Sequence, residues 1–130
     1  MDLGSIVEEF LKTLEHRKSF DDLLPFYHKD IEQVEVPNLL NSKKTIRSLK
    51  ELKIASEKGA SVIQNERYHI VNKYICDRAV IVEVIWSGQL SQTLGRLDVG
   101  EELKAYFAQF YEFENGKIIK QRNYDCFEIF

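Results

Sequence analysis

Near the end of the chain, Asn115-Gly116 separates two long runs rich in β-branched and aromatic residues, Lys104 to Phe113 and Lys117 to Phe127. Both central residues of a type I′ turn need positive φ, so Asn-Gly in this setting dictates a tight antiparallel hairpin. A two-residue loop sets Glu114 opposite Lys117 and Phe113 opposite Ile118. Counting outward, Phe110 faces Gln121, Ala108 faces Asn123 and Tyr106 faces Asp125. Side chains alternate across a strand, so Tyr106, Ala108, Asn123 and Asp125 are expected on one side of the sheet. Small and polar groups make a poor dry core and a suitable cavity floor. The opposite side then carries Phe107 with Tyr124, Gln109 with Arg122, and Tyr111 with Lys120, a large aromatic surface with no further sequence to cover it. Such a surface calls for a partner.

Upstream the pattern is helical. Ser5-Ile6-Val7-Glu8 matches a capping box, and Ile6, Val7, Phe10, Leu11 and Leu14 recur at helical spacing. Ser19, with Asp21 and Asp22 after it, starts a short second helix that ends near His28. Ile31 to Val36 alternates as a first strand and runs into Pro37, which suits a strand at an edge or one broken by the proline. A third helix capped near Asn41 to Thr45 uses Ile46, Leu49, Leu52 and Ala55 and stops at Gly59. Two strands follow, Arg67 to Ile75 and Ala79 to Ser87, joined through Asp77-Arg78. Helices first and antiparallel strands after them define an α+β layout, with the helices on one sheet face.

At 130 residues the chain is the size of one domain, residues 1–130, burying roughly two-thirds of its unfolded surface. Its 18 basic and 21 acidic residues are spread evenly, leaving no field to attract nucleic acid. No run reaches the length of a membrane span, and the amino-terminal stretch lacks the basic and apolar regions of a secretory signal. Cys76 and Cys126 are read as reduced thiols, which points to the cytoplasm. His16, His28 and His69 fall on separate elements without metal-ligand spacing. There is no Gly-rich phosphate loop and no nucleophile elbow, so neither metal nor cofactor is expected.

The element order, together with Val34-Glu35-Val36-Pro37-Asn38, Glu83-Val84-Ile85-Trp86-Ser87-Gly88 and the closing Gln121-Arg122-Asn123-Tyr124-Asp125-Cys126-Phe127, resembles the SnoaL-like branch of the nuclear transport factor two-like superfamily. The resemblance implies a cystatin-like cone: a curved, mainly antiparallel sheet wrapped around the amino-terminal helices, with a deep, largely apolar pocket open at one end. It also implies dimerisation through the sheet face. Members include ketosteroid isomerases, polyketide cyclases, epoxide hydrolases, dehydratases and binding modules without catalysis, so the fold does not decide the function. The aspartate base of steroid isomerases matches Val36 here. The arginine and two aspartates of limonene epoxide hydrolases match Val84, Trp86 and Asn123. Neither mechanism is copied, although a one-residue shift of the alignment brings in Glu35 or Asp125.

The catalytic candidates are therefore Asp125, Tyr106 and Asn123. A carboxylate held by a phenol in an apolar cavity has its proton affinity set by burial and that hydrogen bond, and serves as a general base for enolisation or cyclisation. The competing reading is a Tyr106–Asp125 contact that only orders the strand end. Asn123 above a small Ala108 can donate to a ligand carbonyl, or bond a neighbouring backbone group. Trp86, Val84, Ala108, Phe110, Glu35 and Phe127 complete the expected pocket. Glu35 is either a displaced acid/base or a residue facing water. The sequence thus predicts a homodimer, paired through Phe107, Gln109, Tyr111, Arg122 and Tyr124, that binds a small apolar or aromatic molecule and carries cofactor-free isomerase-, cyclase- or hydrolase-type chemistry. The alternative is a non-catalytic ligand-binding or protein-interaction module.

Overall fold

A computed structural model of the chain describes residues 2–130. Helix α1 (Leu3–His16) is followed by a 3-10 helix (Phe20–Phe26), strand β1 (Tyr27–Glu35), a short β2 (Thr45–Arg47), helix α2 (Leu49–Ala60), and the long strands β3 (Ile63–Ile75), β4 (Ala79–Leu90), β5 (Glu102–Glu114) and β6 (Lys117–Phe127). The six strands form one sheet in the order β2-β1-β6-β5-β4-β3, antiparallel throughout except that β1 and β6 run parallel. Three helices lie on its concave face. This is the α+β architecture expected from the sequence.

Local chemistry sets the helix ends. Asp2, not Ser5, caps α1: its carboxylate accepts from the Ser5 N–H at 2.8 Å, so the helix starts one turn early and Ser5 becomes a first-turn residue. The capping box forms instead on α2, where the Ser48 side chain accepts from the Glu51 N–H and the Glu51 carboxylate accepts from the Ser48 N–H. Residues 45–47, assigned to that helix from sequence, form β2 alongside β1. β1 begins at Tyr27, four residues earlier than its alternation suggests, and lies inside the sheet between β2 and β6. Pro37 falls just beyond its end.

The hairpin turn is as expected, with positive φ at Asn115 and Gly116 and Glu114 paired to Lys117. The register beyond it is not. Phe113 pairs with Ile118, but Glu112 pairs with Lys120, so Ile119 is an extra residue in β6. A bulge of this kind turns every later side chain of its strand to the other face. Tyr111 therefore pairs with Gln121, Gln109 with Asn123, Phe107 with Asp125 and Ala105 with Phe127. Further register shifts in β1 and β3 add twist, and the sheet curls around α1. The core beneath is built from Val7, Phe10 and Leu11 of α1 against Val80, Val82, Val84 and Trp86 of β4 and Tyr111 of β5. No helix among the described residues is long and apolar enough to cross a membrane.

Candidate functional site

The strand pairings lay the concave face out as a lattice. One row across the sheet runs Val80, Tyr111, Gln121, Gln33, Arg47; the next runs Val82, Gln109, Asn123, Glu35, Thr45; the third runs Val84, Phe107, Asp125; the fourth runs Trp86, Ala105, Phe127. The β4 side of each row is apolar. The side formed by β6, β1 and part of β5 is polar, although it faces the same helices. Gln33, Gln109 and Gln121 are buried there, the last with only 3% of its surface exposed.

Buried polar groups need partners, and most here have one. Tyr111 donates its hydroxyl to Gln109 Oε1 at 2.6 Å, and Gln121 Nε2 donates to Asn123 Oδ1 at 2.9 Å. Glu35 accepts from Arg47 at 2.6 Å and from the Asn38 amide at 2.8 Å, which fixes its carboxylate at the end of β1. Two acceptors are left over among the described residues: Gln121 Oε1 and Asp125 Oδ1 are buried and make no hydrogen bond. Burial first, and then the negative charge of Glu35, raises the Asp125 carboxyl from the ordinary aspartate range to about 7. Burial also pushes the Tyr111 phenol well up, helped by the fields of Tyr27 and Asp125, so it stays a proton donor at neutral pH.

The aromatic wall beside Asp125 is formed by Trp86, Phe107 and Phe127. Phe107 stacks on Trp86 at 5.5 Å, and Phe127 meets Trp86 edge-on at 5.9 Å. The indole is anchored by donating to Glu66 Oε1 at 3.1 Å. Glu66 also accepts from Tyr68 and, at 3.0 Å, from Arg17, the residue that caps the C-terminal end of α1. Gly88 makes room for this ring: a Cβ there would lie 2.4 Å from Ile63 and 2.9 Å from the indole.

Two of the clefts beside these helices share part of their lining. One, of about 490 Å³, lies between the last turn of α1, the end of α2 and the start of β3. The other, of about 230 Å³, runs between the helices down to Tyr27 and Gln33 of β1. They share Leu14, Arg17, Phe20 and Ser56 in their linings, so they are neighbours.

The structure brings together Asp125, Asn123, Glu35, Trp86, Val84 and Phe127 on the concave side. It removes three expected members. Tyr106, Ala108 and Phe110 belong to the alternate β5 residues that the bulge leaves on the convex face, opposite Cys126, Tyr124 and Arg122. Tyr106 is 45% exposed and donates to Glu128 at 2.7 Å, a bond that raises its phenol. It therefore has no contact with Asp125. Phe107, Gln109 and Tyr111, expected on a dimer face, are buried on the concave side. Cys76 and Cys126 are exposed free thiols, and no cluster of three metal-ligating side chains occurs among the described residues.

No family model matches the sequence, and no curated protein matches it. Solved structures do. IdmH from Streptomyces antibioticus, a candidate polyketide cyclase, superposes with a TM-score of 0.80 at 8% identity, covering 96% of this chain and 92% of that one. The fold is nuclear transport factor two-like. A SnoaL-like polyketide cyclase from Agrobacterium tumefaciens matches with a TM-score of 0.73 at 19% identity over 96% of this chain and 91% of the other. An LEH-like epoxide hydrolase of M. tuberculosis gives 0.69 at 17% identity, with 97% and 82% covered. At these identities the likeness is one of fold.

Within this nuclear transport factor two-like frame, the residues that sequence reasoning missed are Gln33, Gln121 and Arg47. The two glutamines occupy apolar-phase positions of their strands. A polar residue in phase with buried neighbours is the signal that would have found them.

Proposed function

We propose that the concave interior holds a small, mostly apolar molecule and that Asp125 carries out cofactor-free acid/base chemistry on it, of the isomerase, cyclase or hydrolase type. One observation carries this reading: a buried aspartate oxygen without a partner, on a carboxyl poised near neutral pH beside an aromatic wall. A base of this kind is strong enough to take a proton from carbon next to a carbonyl and is still a usable acid on the return step. Asn123, two residues away on the same face, supplies an amide for the developing oxyanion. Glu35, locked by Arg47 and Asn38, holds the negative charge that helps keep Asp125 poised. Solved proteins of this fold that are named as polyketide cyclases and an epoxide hydrolase support the class of reaction.

The test is a thermal-shift panel of cyclic ketones, aromatic polyketide fragments, terpenoid epoxides and lipophilic acids, followed by turnover of whatever binds. Saturating ligand at about a hundred times its dissociation constant adds roughly 2.7 kcal/mol of stability. Asp125→Asn is expected to abolish turnover while keeping the fold and ligand binding; full turnover by this variant would remove Asp125 from the mechanism.

A non-catalytic module is favoured by one specific feature, the Val36, Val84 and Trp86 side chains at positions where related enzymes carry charged catalytic groups. Tight binding without turnover of any panel member would select it.

The partner we infer is a second copy of the chain, seated on the convex sheet face. The dimer surface is redrawn from the one expected: Tyr106, Phe110, Arg122 and Tyr124 now share it with Tyr74 and Ile81 across four strands. The Arg122 guanidinium lies 5.3 Å over the Phe110 ring, and Tyr74, Tyr106 and Tyr124 are exposed. Light scattering at micromolar concentration should give twice the chain mass, and Phe110→Lys should halve it.

A further inference from the structure

Gln121 sets up a chemical demand that the acid/base reading does not use. Its side chain is almost fully enclosed, yet Oε1 has no donor. Its Nε2 is engaged by Asn123 Oδ1, an acceptor, which leaves Oε1 as the atom without a partner. Across the row, Tyr111 spends its hydroxyl on Gln109, and on the other side Arg47 spends its short contact on Glu35. A buried acceptor with no partner costs free energy that a bound donor would recover.

Access to this acceptor is at hand. Gln33 pairs directly with Gln121 on the neighbouring strand and forms part of the floor of the 230 Å³ cleft between the helices. Its own amide is held only by a 3.5 Å contact from Arg47, at the limit of a hydrogen bond. A molecule lying in the cleft therefore has to displace one loosely held side chain to reach Gln121 Oε1. The wider cleft lies beside it, with Arg17, Phe20 and Ser56 in both linings.

We propose that Gln121 is a specificity-determining residue that selects ligands carrying a hydroxyl or N–H donor, delivered through the channel between α1, the 3-10 helix and α2. This rests on the reading that the concave interior is the ligand site, and adds the polarity of the group that the ligand must present there. A ligand with a ketone or ether oxygen at that point would bring a second acceptor against Gln121 Oε1 and be rejected.

The probes are 2-naphthol and 2-methoxynaphthalene, which share a two-ring body and differ in the donor, titrated by NMR into the wild-type protein, Gln121→Met and Ser56→Trp. Wild type is expected to bind the naphthol at least tenfold more tightly than the methyl ether. In Gln121→Met, matched in length and without the amide, that ratio should fall to within twofold while affinity for the ether is kept. Ser56→Trp, placed where the two clefts meet and away from the sheet, should weaken both probes at least tenfold. An equal preference in wild type and Gln121→Met, no binding of either probe to wild type, or unchanged binding by Ser56→Trp would each overturn the proposal. Thermal melts without probe verify that both variants fold, and Gln121→Asn replaces the methionine variant should it not. An Asp125 carboxyl that still titrates near 7 in a protein without the donor preference would confine the failure to this inference.

Discussion

Strands β4 and β6 present alternate side chains to the same interior, yet they do opposite things with them. On β4 the inward series is Val80, Val82, Val84 and Trp86, all buried and in contact with the core. On β6, beyond Ile118, it is Gln121, Asn123, Asp125 and Phe127. A fold needs only one such wall to anchor its helices. The other is available for chemistry, and its polar groups have a cost in stability that a core would not tolerate without a return in function. The difference is the ground for proposing a site on β6 and the flanking ends of β1 and β5, with β4 as the wall that packs against the helices.

The strongest way to break this contrast is to exchange the two characters. Val82→Asn puts an amide into the dry wall, losing apolar burial and stranding a polar group, and should cost about 3–5 kcal/mol by chemical denaturation. The mirror change Asn123→Val, in the same row of the sheet, leaves the buried Gln121 Nε2 without its acceptor but gains apolar surface, so it should cost only about 1–2 kcal/mol and weaken ligand binding as well. Comparable losses in the two variants would erase the distinction.

The next effect is pH-dependent. Asp125 binds its proton more tightly in the folded state than in the unfolded chain, so between about pH 4 and pH 7 folding takes up a proton and stability falls as pH rises. Above about 7 the loss is complete. Asp125→Asn removes this liability, so it should melt several degrees above wild type at pH 8, and the gain should shrink steadily as pH is lowered toward 5. A pH-independent difference in melting temperature would contradict the buried, shifted carboxyl.

Gly88→Ala probes how tightly the aromatic wall is fitted. The added methyl meets Ile63 and the Trp86 ring at distances no relaxed structure allows, so a loss of about 1–3 kcal/mol and a shifted Trp86 fluorescence maximum are expected. Smallest of all should be Tyr106→Phe. It removes an exposed phenol bonded to Glu128, so stability should change by less than about 1 kcal/mol, and turnover of any substrate found should be unchanged.

How much of this was legible depended on range. The Asn115-Gly116 turn, the first helix, the long strands and the helices-then-sheet order are written in local pattern, and the structure has them within a few residues. Asp125 and Asn123 do share one side of β6, and the strand pairings put Trp86 and Val84 on that same sheet face. The error came from a single residue. Ile119 adds one position to β6, and nothing in an Ile-Ile pair tells a bulge from a regular strand. That residue moved Tyr106, Ala108 and Phe110 outside and brought Phe107, Gln109 and Tyr111 inside. β2 was missed because three residues carry too little periodicity to read, and because their partners lie more than ten residues back in the chain, at Gln33↔Arg47 and Val34↔Ile46. The two unpartnered acceptors could not be read at all, since hydrogen-bond satisfaction belongs to the assembled fold.

The most direct test of the account is a carbon-13 NMR titration of the Asp125 carboxyl in the ligand-free protein, assigned by comparison with Asp125→Asn. The account predicts a midpoint near 7 that moves down toward the ordinary aspartate range when Glu35 is replaced by Gln, because one of the two causes of the shift is then gone. A midpoint near 4 in the wild-type protein would contradict it, leaving an ordinary ionised aspartate and no acid/base group in the cone.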